Sequence, residues 1–150
     1  LIEAYTELYK ANGSARVAQR LKFLLSQMSD IVYNPETNGL RVFFDTELKE
    51  IGNVHSYGHD IEATWLMDLA CETLEDKELI EKFKEMDLKI SRNILNTALE
   101  NGALNNESDN GVVDKKRVWW VEAETVALQM LTKRAATLSL PLPQTRYGTT

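Results

Sequence analysis

The stretch from Asp76 to Leu99 constrains the fold most, because its apolar residues recur at the period that an α-helix places on one side. Leu79, Ile80, Phe83, Met86, Ile90, Ile94 and Leu95 form a single stripe, and Lys and Glu fill the opposite face. A helix with such a stripe must lay it against another element, and the rest of the sequence offers further helices. Leu1, Ala4, Tyr5, Leu8 and Tyr9 predict a first helix that Asn12-Gly13 ends, with Ser14 capping the next. That second helix carries Val17, Leu21, Leu24, Leu25 and Met28, and gives way at Asn34-Pro35. A third, from about Gly58, is expected to turn Ile61, Trp65, Leu66, Leu69 and Ala70 inward, and a fifth begins at Trp119-Trp120. Between helices, the turn signal Asn38-Gly39 before Leu40-Arg41-Val42-Phe43-Phe44 predicts a small strand or hairpin, and residues 101–113 read as a polar loop. The expectation is an all-α domain of antiparallel helical hairpins, either an α/α toroid or a helical array.

Composition narrows the function classes. A chain of 150 residues with 43% hydrophobic and 27% charged residues has enough apolar material for one real core. Its net charge of −6, with no basic stripe, sets it against polyanions, so a nucleic-acid partner is not expected. The longest apolar runs, such as Phe23-Leu24-Leu25, fall far short of the roughly 20 residues of a membrane span. The first residues show neither the basic nor the apolar region of a secretion signal. Cys71 stands alone in an apolar helical pattern, which predicts an inert buried thiol and a reducing, cytoplasmic compartment. Oligomeric state is not readable from these features.

Two segments carry chemistry. Ser56-Tyr57-Gly58-His59-Asp60-Ile61-Glu62 sets an imidazole and a carboxylate one turn apart where a loop enters a helix. Imidazole titrates near pH ~6.5, so both protonation states are available for general acid/base work. His59 either does that work or packs at the helix start. Glu62 orients the imidazole, binds a hydroxyl, or merely complements the helix dipole. Asp60 holds a ring nitrogen or caps the helix, and Tyr57 donates to a ligand or packs. In the second segment, Trp119-Trp120-Val121-Glu122-Ala123-Glu124, Trp120 and Glu124 lie four apart on one face, a flat apolar ring beside an acceptor. Adjacent tryptophans point about 100° apart, so one is expected in the core and the other against a ligand such as a sugar. Trp65 falls in the apolar stripe and is expected in the core. His55, His59 and Glu62 do not keep helical spacing across the Ser-Tyr-Gly turn, so no metal is expected. Scattered glycines form no phosphate cradle or dinucleotide fingerprint, so no cofactor is expected either.

From Leu1 to about Val126 the sequence resembles the N-acylglucosamine 2-epimerase family, closest to its cellobiose 2-epimerase branch. The segments that carry the resemblance are Glu3-Ala4-Tyr5-Thr6, Asn34-Pro35-Glu36-Thr37-Asn38, Phe43-Phe44-Asp45, Ser56 to Trp65 and Trp119 to Glu124. It implies that residues 1–126 are about five of the twelve helices of an (α/α)6 toroid, a middle portion with a small β-hairpin insertion. It implies a sugar 2-epimerase that inverts C2 of a reducing-end sugar, cellobiose to glucosyl-mannose, through an enediolate. N-acylglucosamine epimerisation and aldose–ketose isomerisation are the alternatives within that chemistry. His59, Glu62 and Glu124 become the catalytic residues, and Tyr57, Asp60, Trp119 and Trp120 the sugar-binding ones. A His-Leu-His segment and a later Tyr-His segment with the second catalytic imidazole are not in this chain, which is therefore expected to be inactive alone. Position 122 is Glu where the resemblance leads one to expect Gln. A non-catalytic carbohydrate-binding array and a two-carboxylate glycosidase using Glu62 and Glu124 are the readings from other classes.

The resemblance ends near Val126. Residues 127–150 show no helical period, and Pro141 and Pro143 forbid a continuing helix. Codons for Ala127 to Thr137 exist that give Phe-Thr-Asn-Ala-Tyr-Lys-Thr-Ser-Gly-Asp when read two nucleotides later, a string similar to the family there. The tail is expected to be outside the family pattern, with a natural flexible C-terminus and out-of-frame translation as its two readings.

Overall fold

In a computed structural model that describes residues 1–137, five helices carry the fold and short strands decorate their connections. α1 (Ile2–Asn12) stops at Gly13, whose φ of 60° is the left-handed conformation that glycine adopts without a steric penalty. α2 (Ala15–Gln27) packs back on α1 and buries Leu21 and Leu25. Ser14 holds the position before α2, but its side chain makes no capping bond. Asn12 Oδ1 accepts from the Ser14 N–H at 2.9 Å instead. Before the chain reaches Asn34-Pro35, α2 widens into a π-helical turn over Met28–Val32.

Of the strand expected over Leu40–Phe44, only Leu40 is in a ladder, and Phe44 makes an isolated antiparallel bridge with Glu50. β1 (Tyr33–Asn34) pairs antiparallel with β2 (Gly39–Leu40), Tyr33 opposite Leu40. The Arg41 guanidinium folds back onto the carbonyls of Ile31 and Tyr33 at 2.8 and 2.7 Å, tying the hairpin to the π-helical turn.

α3 (Tyr57–Leu74) is the hub, with α1, α4 and α5 all packed against it. Because neighbours cover several of its sides, the inward residues are not those that a one-sided stripe selects. Ile61, Thr64, Met67, Ala70 and Cys71 are buried, whereas Trp65, Leu66 and Leu69 are only half-buried. Burial pushes the Cys71 thiol up to about 12, with Asp87 and Asp68 adding to it, so it stays protonated and unreactive. α4 (Lys77–Thr97) begins at Asp76, whose carboxylate accepts from the Leu79 N–H at 3.3 Å. Phe83, Met86, Ile90 and Ile94 are buried from its stripe, and Leu79, Ile80 and Leu95 pack at the margin. Full burial of a side chain such as Phe83 contributes about 1.5–3 kcal/mol.

The polar loop expected after α4 is instead two tight hairpins. β4 (Leu99–Glu100) pairs with β5 (Ala103–Leu104) across Asn101-Gly102, and β6 (Glu107–Asp109) with β7 (Val112–Asp114) across Asn110-Gly111. All four turn residues have positive φ, which matches the right-handed twist of a hairpin. β6 also pairs with β3 (Val54–Ser56), setting Ser56 opposite Glu107, so a small sheet delivers the chain to the start of α3.

α5 (Trp119–Thr137) runs on through residues 127–137, where no helical period was expected. Alanine, leucine, methionine, lysine and arginine there are all strong helix formers, and that propensity suffices without a clean stripe. Residues 138–150, with both tail prolines, lie outside the described residues. Among the described residues no helix is long and apolar enough to cross a membrane.

Candidate active site

Ser56 sits at the N-cap of α3 in extended conformation, yet its hydroxyl makes no bond to the helix backbone. It lies instead 2.7 Å from His59 Nδ1. N-cap to N3 is the spacing of a capping box, with an imidazole where a Glu or Gln usually stands. The hydroxyl thereby fixes the rotation of an exposed imidazole at the mouth of the helix. Trp120, from α5, holds the other side of the ring: the two ring centroids are 4.7 Å apart and tilted by 49°.

Gly58 makes this approach possible. A Cβ on Gly58 would stand 2.6 Å from Trp120 Cζ3, 2.8 Å from Cη2 and 3.0 Å from Val121 Cγ2. The indole therefore lies against the bare backbone of the first turn of α3. Trp119 points elsewhere and is 83% exposed, as the angle between neighbours on a helix requires.

Glu124, one turn beyond Trp120, is half-buried and accepts a 2.9 Å hydrogen bond from Trp65 Nε1. Trp65 thus serves as a polar anchor as well as packing, which corrects its assignment to the core. Ser56 and Trp65 are the two residues whose roles the sequence reading missed. The Ser-to-His interval was visible in the sequence. The indole partner, 59 positions away, was not.

Glu62 is half-buried and shares with His59 and Asp60 a groove of about 630 Å³ walled by Leu24, Met28, Leu40 and Leu66. Tyr57 is in the core, its ring edge-on to His55 at 6.3 Å. Asp60 does not cap α3. It is 1% exposed, and its Oδ1 accepts from the Leu40 N–H of β2 at 3.3 Å. Burial pushes its carboxyl up to about 8, against the pull of that single donor. Glu122 stands half-buried, with Oε1 buried and unpartnered. The two histidines diverge: His55 turns toward Tyr57 and Gly39, His59 toward Ser56 and Trp120.

The arrangement gathers an oriented, accessible imidazole, an aromatic plate in contact with it, and a carboxylate on the same groove. That set suits a proton transfer at a polyhydroxylated ligand whose C–H face rests on indole.

No protein-family model matches the chain. It is 67% identical over 126 residues to the cellobiose 2-epimerase of Ruminococcus albus, covering 84% of this chain and 32% of that protein. The cellobiose 2-epimerase of Dictyoglomus turgidum is 41% identical over the same shares. Among solved structures, a sugar epimerase from a ruminal bacterium superposes with a TM-score of 0.85 at 59% identity, over 93% of this chain and 37% of that one. Cellobiose 2-epimerase from Bacillus thermoamylovorans gives 0.78 at 28% identity, over 91% and 39%. The chain spans about a third of the length of the curated relatives it matches. In sequence and in fold, the chain is similar to one part of the cellobiose 2-epimerases, and its helices are those of part of an (α/α)6 toroid.

Proposed function

We propose that this chain supplies one acid/base and the sugar platform of a sugar 2-epimerase, with His59 and Trp120 in those roles. The observation that carries the reading is the imidazole itself: exposed, 2.7 Å from the Ser56 hydroxyl, and tilted against Trp120 with ring centroids 4.7 Å apart. Inversion at C2 requires an open-chain aldehyde, removal of the C2 proton, a held enediolate and return of a proton to the opposite face. His59 is suited to one of the two transfers, since an imidazole exchanges protons readily near neutral pH. The resemblance assigns the other to a later Tyr-His segment.

Glu62 binds a hydroxyl or steers the imidazole from the same groove, and Glu124, fixed by Trp65, assists ring opening or holds the enediolate. Trp120 is preferred over Trp119 as platform because it alone of the two touches His59. Tyr57 and Asp60, both buried, act as support beneath the site rather than as sugar contacts. The substrate class is a free reducing-end sugar, cellobiose first, with N-acylglucosamine or the mannose–fructose pair behind it.

The test uses a protein that carries this segment within the full length of its relatives, incubated with cellobiose in heavy water. Deuterium is expected at C2, and His59→Asn is expected to slow that exchange by about 10²–10⁴-fold. Undiminished exchange in the variant removes His59 from the mechanism. Trp120-dependent fluorescence binding of sugar without exchange indicates a binding array, and release of glucose indicates a glycosidase.

A further inference from the structure

Asp60 is buried at the first turn of α3 with one hydrogen bond to its name, from Leu40 N–H to Oδ1. Its other oxygen, Oδ2, is buried and has no hydrogen-bond partner. The atoms nearest to a Cβ built on Gly39 explain what surrounds it: Asp60 Oδ2 at 3.2 Å, His55 Nε2 at 2.8 Å, and His55 Cε1 closer still. The carboxyl of α3 and the imidazole of β3 therefore flank the same bare α-carbon on β2, and the missing Cβ is what lets the imidazole come so close.

An ionised carboxylate with one long hydrogen bond in a buried setting is poorly compensated. A neutral carboxyl is a donor as well as an acceptor, and a neutral imidazole offers the complementary acceptor nitrogen. Burial drives both groups toward those neutral forms: Asp60 is pushed up to about 8, and His55 is pushed down, with Glu50 opposing.

We propose that Asp60 and His55 form a proton-sharing latch across Gly39 that fastens the β1–β2 hairpin to the first turn of α3. Asp60 is then a positioning residue, acting through Leu40, which lines the groove together with His59 and Glu62. With its proton in place, Oδ1 keeps the Leu40 N–H and Oδ2 donates toward His55 once the imidazole turns to meet it. Loss of the proton leaves a buried charge met only by the Leu40 N–H and, at best, a single imidazole N–H, and the hairpin side of the groove loosens. The charged and titratable groups on the elements around the latch include Glu3 of α1, Tyr33 of β1, Arg41 beyond β2, Glu50 of the following loop, Glu107 and Asp109 of β6, and Tyr57, His59 and Glu62 of α3. The sign follows from the raised carboxyl: the closed latch is favoured fully below pH ~3.8, and that preference is lost as pH rises through about 8.

The inference is independent of sugar chemistry, and its test reads the chain itself. Amide hydrogen exchange at Leu40, corrected for the intrinsic pH dependence, is expected to lose at least about tenfold of its protection between pH 6 and 9. The Asp60 carboxyl, followed by carbon-13 NMR, is expected to titrate over the same interval, and His55→Phe is expected to shift its midpoint. Asp60→Asn retains the acceptor for Leu40 and should hold the protection constant with pH, while Asp60→Ala should lose it throughout. An Asp60 that titrates near the ordinary ~4 overturns the latch. So does Leu40 protection that is flat with pH, or an unmoved midpoint in His55→Phe. Should Asp60→Asn fail to fold, the native chain and His55→Phe decide the matter.

Discussion

α3 and α4 pack side by side and are built on opposite rules. α4 buries a regular apolar stripe, Phe83, Met86, Ile90 and Ile94, and, Asp87 apart, leaves its charges toward solvent. The first turn of α3 buries a serine, a glycine and an aspartate, and exposes the histidine between them. On α4, stability comes from volume filled. At the start of α3, geometry comes from volume withheld, since Gly58 admits Trp120 and Gly39 admits the His55 ring beside Asp60. A scaffold tolerates swaps that conserve volume, whereas a site of this kind tolerates very little growth.

The contrast can be broken most forcefully at Phe83. Phe83→Ala is expected to cost about 3–5 kcal/mol in urea melts, with little change in the His59–Trp120 geometry beyond loss of the fold. A cost under about 1 kcal/mol would mean that α4 is not the pillar described here. Next comes Gly58→Ala, expected to cost about 1–3 kcal/mol because the methyl meets the indole and Val121. Its distinguishing mark is a change in Trp120 fluorescence and in the His59 ring shifts, which Phe83→Leu should leave alone. The smallest effect sharpens the comparison at the one place where α4 departs from its own rule. Asp87 is buried beside the stripe, both oxygens are without partners, and burial, then Asp68, pushes its carboxyl up to about 9. A raised carboxyl favours the folded chain fully below pH ~3.8, and that advantage is lost as pH rises through about 9. Asp87→Asn is therefore expected to be near neutral at pH 5 and to stabilise at pH 9 by about 1 kcal/mol or less, since the amide is also unpartnered. Equal melting curves for both proteins at pH 9 would remove Asp87 from the alkaline loss of stability.

How far the sequence was legible follows the same division. The α4 stripe could be read because one face alone is covered, so composition and period agree. α3 was found but its inward side was misjudged, since three neighbours bury it from different directions and period ceases to choose. The hairpins at Asn101-Gly102 and Asn110-Gly111 were readable in principle. Their flanking strands are only two or three residues long, too short for an alternating pattern to show. At the site, His59, Glu62 and Glu124 stood out by residue type and interval. Asp60 looked like a cap because its partner, Leu40, is set by tertiary packing, and Trp65 looked like core for the same reason.

The indole seated on Gly58 has one more consequence, for anyone who would move this site to another scaffold. The imidazole belongs to one segment and its aromatic wall to another some sixty positions later, so neither peptide is a portable unit. Chimeras that exchange only the Ser-Tyr-Gly-His block import a ring without its wall, and heredity must carry both pieces together for either to be worth keeping.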